Sequence, residues 1–162
     1  MTSAKSIADS PTLQRLLERL GRLNPEAEPR WGTLTANEML CHLGDAHESV
    51  LGIRVPPTSK GPSRKGPPGP LRPLLKWVVL YSPIGMPKGA KTRPGVDPRI
   101  DGTKPIEFER DRTRAIRSLK DLAVAPPAAL GKTHFLFGPM SPADWYQWAG
   151  RHVDHHLRQF GL

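Results

Sequence analysis

Residues 141–160 read "SPADWYQWAGRHVDHHLRQF" and carry three of the chain's six histidines. The stretch opens with strong start signals for a helix. Ser141 is an N-cap residue, Pro142 takes the first helical position, where its missing N–H costs nothing, and Asp144 sits at N3, where it can return a hydrogen bond to the cap. Projected on a helix, Trp145, Trp148, Ala149, His152, His156 and Phe160 follow steps of three and four and make one buried stripe. His152 and His156 therefore lie one turn apart on that stripe. His155 is rotated by about 100° from His156 and falls at its margin.

Three more segments read as helices. "SPTLQRLLERLGRL" offers Ser10 as N-cap and Pro11 at the first helical position, with Leu13, Leu16, Leu17 and Leu20 at helical spacing. "TANEMLCHLGDAHESVLG" begins with Thr35 and Glu38 in capping-box spacing and runs to about Leu51, with Met39, His42, Leu43, Ala46, Val50 and Ile53 on one stripe. "IEFERDRTRAIRSLKDL" offers Ile106, Phe108, Ala115, Ile116, Leu119 and Leu122 for burial. Between the second and third of these helices, residues 56–105 are an irregular insertion. Its "PPTSKGPSRKGPPGP" run is too rich in proline for a long helix, and a short helix fits near Leu71 to Tyr81. No period-two run stands out, so residues 1–162 are expected to form one all-α domain, a four-helix bundle. The long Pro/Gly-rich connection allows helices two and three to run parallel in an up-down-down-up order.

Composition narrows the function classes. With Cys41 as the sole cysteine no disulfide framework can form within the chain. Met1 to Asp9 lacks the apolar run of a secretory signal, and the apolar run "LLKWVVLY" is far short of the roughly 20 residues that cross a bilayer, so a cytoplasmic protein without a transmembrane segment is expected. The formal net charge of +9 raises nucleic acid or an anionic surface as partners, but lysines and arginines are scattered along the chain and mixed with acids, which argues for solvated surface.

The histidines carry the chemistry. His42 on the second helix and the His152/His156 pair on the last all project toward the interior. A buried imidazole needs partners for both ring nitrogens, and three converging without a cation make a costly polar cluster. A divalent ion removes that cost, and three protein ligands leave a position open, as in catalytic sites. Neutral imidazole suits zinc, nickel, iron or copper. The alternative is a set of separate core histidines bonded to backbone or water. The pattern is not the HExxH of metalloproteases, because Val153 follows His152 where a glutamate base would stand.

"WGTLTANEMLCHLGDAHES" (31–49) followed by "HFLFGPMSPADWYQWAGRHVDHHLRQ" (134–159) resembles the DinB-like superfamily of metal-binding four-helix bundles, and is most similar to a bacterial branch described only as a domain of unknown function. The resemblance implies a metal held by one histidine of the second helix and an HxxxH pair of the last, which here are His42, His152 and His156. It also implies zinc or nickel as the ion, a low-molecular-weight thiol such as mycothiol, bacillithiol or glutathione as a further cofactor, and transfer or hydrolysis of a small-molecule substrate, with a homodimer left open. Two departures stand: Leu157, Arg158 and Gln159 occupy the place where many relatives have "RGQ", and the proline-rich insertion is longer than a minimal bundle needs.

Other residues have plainer readings. His155 is expected beside the ligands or at the surface. His47, about 140° around the helix from His42, is expected at the surface, and His134 has a loop role, with reach to the mouth of the site as the alternative. Glu38 is explained by its cap, Cys41 is a small buried hydrophobe, and Trp145 and Trp148 belong to the core. Three functions follow for comparison: a metal-dependent transferase or hydrolase, a non-enzymatic metal-binding or sensing bundle, and a basic module that contacts nucleic acid or a membrane surface through the Pro56 to Pro70 loop.

Overall fold

Five α-helices form an all-α bundle among the described residues, 6–55 and 66–162, of the computed structural model: α1 (Ser10–Gly21), α2 (Ala36–Val50), α3 (Arg72–Leu80), α4 (Phe108–Val124) and α5 (Pro142–Gln159). The predicted caps of α2 and α5 are formed. The Glu38 N–H donates to Thr35 Oγ1 at 3.2 Å while the Thr35 N–H donates to Glu38 Oε2 at 2.8 Å. At the start of α5, Ser141 and Asp144 make the same reciprocal pair at 3.1 and 2.9 Å. The start of α1 differs from its sequence reading: Asp9, not Ser10, is the cap, accepting the Thr12 N–H at 3.1 Å. A carboxylate satisfies an orphan N–H and also meets the positive end of the helix dipole, so the boundary shifts by one residue.

The core is built by the leucine stripes. Leu16 and Leu20 of α1, Leu40 and Leu43 of α2, Leu119 and Leu122 of α4, and Val153 and Leu157 of α5 are all buried in one cluster. Each such side chain contributes about 1.5–3 kcal/mol when fully removed from water. The α2 and α4 helices form the most extensive pair, and α1 lies against α4 and α5. An ion pair of 2.7 Å between Arg19 and Asp154 ties α1 to α5. Two expected core residues are exposed, Ile53 and Ile106. Both lie just outside a helix, beyond Val50 or before Phe108, where the helical stripe no longer fixes their direction.

The insertion contributes more than a connection. The expected short helix is α3, and it buries Val79 and Leu80 but exposes Leu71, Leu74, Trp77 and Tyr81 along its outer side. Asp144 anchors it to α5: Lys76 Nζ lies 2.9 Å from one carboxylate oxygen and Tyr81 Oη donates to the other at 2.5 Å. Burial alone would raise the Asp144 pKa, but these donors and the Ser141 N–H outweigh it and hold the carboxyl at about 2. The returning segment of the insertion is fixed to α2 by Asp45, which accepts the Thr103 N–H at 2.7 Å and the Thr103 hydroxyl at 2.6 Å. Residues 56–65, which include most of the expected Pro56 to Pro70 loop, lie outside the described residues.

Between α4 and α5 a short hairpin pairs β1 (Thr133–His134) with β2 (Gly138–Pro139), His134 opposite Gly138. Two-residue strands leave no alternating pattern to read in a sequence. No helix among the described residues is long and apolar enough to cross a membrane.

Candidate metal centre

His42, His152 and His156 come together as the sequence predicts. Their candidate ligand atoms all lie within 4.8 Å of one another, and all three residues are buried. The rings face one another edge to face, with centroids 4.8–5.0 Å apart.

Two of the three are oriented by partners on the far side of the ring. His42 Nδ1 donates to the Val96 carbonyl at 2.9 Å, which leaves Nε2 of the neutral ring as a lone pair aimed at the centre. His156 Nδ1 donates to Gln159 Oε1 at 2.8 Å, with the same consequence. Gln159 is itself held, because its amide nitrogen donates to the Trp31 carbonyl at 2.6 Å and so turns its oxygen toward His156. That arrangement needs Gly32. Its φ is +75°, and a Cβ there would stand 2.6 Å from Gln159 Nε2. His152 Nε2 lies 3.0 Å from His42 Nε2, and His152 Nδ1 is buried without a hydrogen-bond partner.

This donor set fits a divalent cation. Imidazoles held through Nδ1 with Nε2 directed inward are the arrangement by which metal ligands are fixed in tautomer and direction. Burial lowers the pKa of each ring from its ordinary value of 6.5, well below it for His152 and His156, where neighbouring imidazoles add to the effect. All three are therefore neutral, the form that ligates, at neutral pH.

The centre forms part of the wall of a cavity of about 320 Å³. Leu75 and Val79 of α3, Met86 and Val96 of the insertion, and Phe135, Phe137 and Trp148 supply apolar surface around it. His134 also lines it, more closely integrated than a loop position suggests: its ring stacks on Phe137 at 4.4 Å and meets Trp145 edge to face at 5.8 Å. Burial, reinforced by the nearby Arg93 charge, lowers the His134 pKa to about 4. His155 is half-buried at the cavity edge, 5.8 Å from the Trp31 ring, as its marginal position on α5 predicts.

His47 contradicts its surface reading. It is fully buried, with Nδ1 3.0 Å from the Ser118 hydroxyl of α4 and its ring against Trp148. The reason is that α2 packs on both sides, facing α4 as well as α5, so a second stripe is buried. Burial takes its pKa to about 3. Cys41 is buried, as expected, and burial pushes its thiol up to about 12, far from an activated thiolate. Glu38 keeps its cap and pairs with Arg99 at 3.0 Å.

The sequence does not reveal the supporting roles of Val96, Gln159 and Trp31. Only Gln159 left a signal, three residues after His156 on the same face; the other two act through backbone carbonyls, which side-chain identity does not reveal. No family model matches the chain, and no curated protein or solved structure matches it.

Proposed function

We propose that the chain is a metal-dependent enzyme of the DinB-like kind, holding one divalent ion, zinc or nickel, on His42, His152 and His156. The observation that carries this reading is the convergence of three buried neutral imidazoles, two of them locked through Nδ1 by Val96 and Gln159, on the wall of a cavity able to admit a small molecule. A divalent ion supplies there a positive charge that acidifies water or a thiol in its vicinity. The residues of the chain orient the ligands, keep them unprotonated, and exclude bulk water with the aromatic wall. Transfer to or from a low-molecular-weight thiol is the favoured reaction and hydrolysis the second. The up-down-down-up helix order, the cytoplasmic location and a homodimer belong to the same reading.

Elemental analysis of protein purified without a histidine tag should find one ion per chain. Alanine at His42, His152 or His156 should lower metal affinity by at least the 10–100-fold typical for loss of a mere supporting partner. His47→Ala should leave the stoichiometry unchanged while costing about 2–3 kcal/mol of stability through the cavity it opens. Full occupancy in both the His42→Ala and His156→Ala variants would remove the three-histidine site. For the thiol, glutathione titrated calorimetrically should bind the metal-loaded protein at least about tenfold, or 1.4 kcal/mol, more tightly than the metal-free protein. Equal affinities would leave hydrolysis or metal sensing.

A further inference from the structure

The cavity beside the histidines has an uneven charge. Its lining contains the cationic side chain of Arg93 and no aspartate or glutamate among the described residues. Several arginines of the protein are paired with acids, Arg114 with Asp45 and Glu48, Arg99 with Glu38 and Arg19 with Asp154, while others such as Arg72 and Arg151 are in no ion pair among the described residues. Arg93 instead lies with its guanidinium over the Phe135 ring, 4.8 Å from the centroid, and no carboxylate meets it among the described residues. Stacking covers the face of the guanidinium and leaves its in-plane N–H donors available, the geometry that suits a carboxylate. Arg93 lies against Phe135 of the β1–β2 hairpin, whereas the three histidines stand on α2 and α5.

Between them the surface is apolar and aromatic. At about 320 Å³ the cavity sits at the small end of ligand sites, which run from roughly 300 to 1,000 Å³. An apolar wall beside an exposed cation that meets no carboxylate among the described residues suits an anion with an apolar body.

We propose that this cavity takes a small apolar monoanion, a carboxylate on a hydrocarbon body of about eight carbons, with Arg93 holding the carboxylate and the Leu75, Val79, Phe137 and Trp148 surface taking the body. The inference rests on the proposed metal site only in that the bound acid is presented to it. The carboxylate selects by charge-assisted hydrogen bonds, and the body by burial, about fourfold in affinity per methylene.

Octanoate, hexanoate and the neutral octanamide, titrated calorimetrically into metal-free and zinc-loaded protein, test this, with zinc content measured on the same samples. Octanoate should bind about tenfold more tightly than octanamide in both forms, and about fifteenfold more tightly than hexanoate. Arg93→Gln, an exposed substitution that should leave the circular dichroism spectrum unchanged, should abolish the preference over octanamide and leave octanamide binding as it was. A preference seen only with zinc and unmoved by Arg93→Gln would put the carboxylate on the ion, overturning the inference while keeping the metal site. Absence of any preference in both forms would overturn it as well. Octanoate selectivity that depends on Arg93 in a protein that takes up no zinc would sustain the inference and remove the metal site.

Discussion

Asp45→Ala should lower stability by about 3–5 kcal/mol, the usual cost of removing one partner from a buried ion pair. Asp45 is fully buried on α2 and is met by Arg114 at 2.6 Å and Arg54 at 3.5 Å, besides accepting two hydrogen bonds from Thr103. Without it, Arg114 keeps Glu48, but its charge remains partly withdrawn from water with only one of two acids. The Thr103 N–H and hydroxyl also lose their acceptor. Chemical denaturation should show the loss, and a chain of this length should melt about 10 °C lower. A change under about 1 kcal/mol would mean that the network is worth no more than a surface pair. The effect should reach the metal centre too. Thr103 and Val96 lie on the same returning segment, and Val96 is what holds His42 Nδ1, so metal affinity should fall in Asp45→Ala although no ligand has changed.

The helices and the three histidines were legible because both follow local rules. A capping box, a proline at the first helical position and a stripe with steps of three and four set α2 and α5, and the stripe alone turns His42, His152 and His156 inward. The supports of the centre were not legible, for a physical reason. Val96 and Trp31 serve through carbonyls in irregular segments, whose direction is set by tertiary packing around them. His47 lies off the single apolar stripe of α2 and is buried because α4 covers a second side of that helix. Asp45 follows from the same packing: an acid on a second buried face becomes an ion-pair centre only when α4 brings Arg114 to it. The aromatic wall at His134 depends on a hairpin too short to leave a periodic signal.

Metal-free protein should unfold on mild acidification, and the ion should delay this only where histidine is unprotonated. His42, His47, His152 and His156 are all buried, and burial lowers the pKa of each in the folded state below the 6.5 of an ordinary imidazole. Folded pKa values below the unfolded ones mean that the unfolded chain binds more protons as pH falls, so stability is intact above pH 6.5 and is lost below it. One pH unit under that value, a ring held as far down as His47, at about 3, costs about 1.4 kcal/mol. His42, His152 and His156 act in the same direction, and a marginal domain has only about 5–15 kcal/mol to lose. Far-UV circular dichroism of the metal-free protein should therefore show helix loss between about pH 6 and 4.5, as the unfolded imidazoles charge. At about pH 8, well above the imidazole pKa, chelation should leave the helices in place, because the leucine core is complete without the ion. There, saturation at one hundred times the dissociation constant should raise stability by about 2.7 kcal/mol. That increment should shrink toward pH 5.5, about one unit below the imidazole pKa, as protons compete for the same nitrogens. Helix loss on chelation at the alkaline end would make the ion structural, and a metal-induced stabilisation independent of pH would place it on ligands other than these histidines.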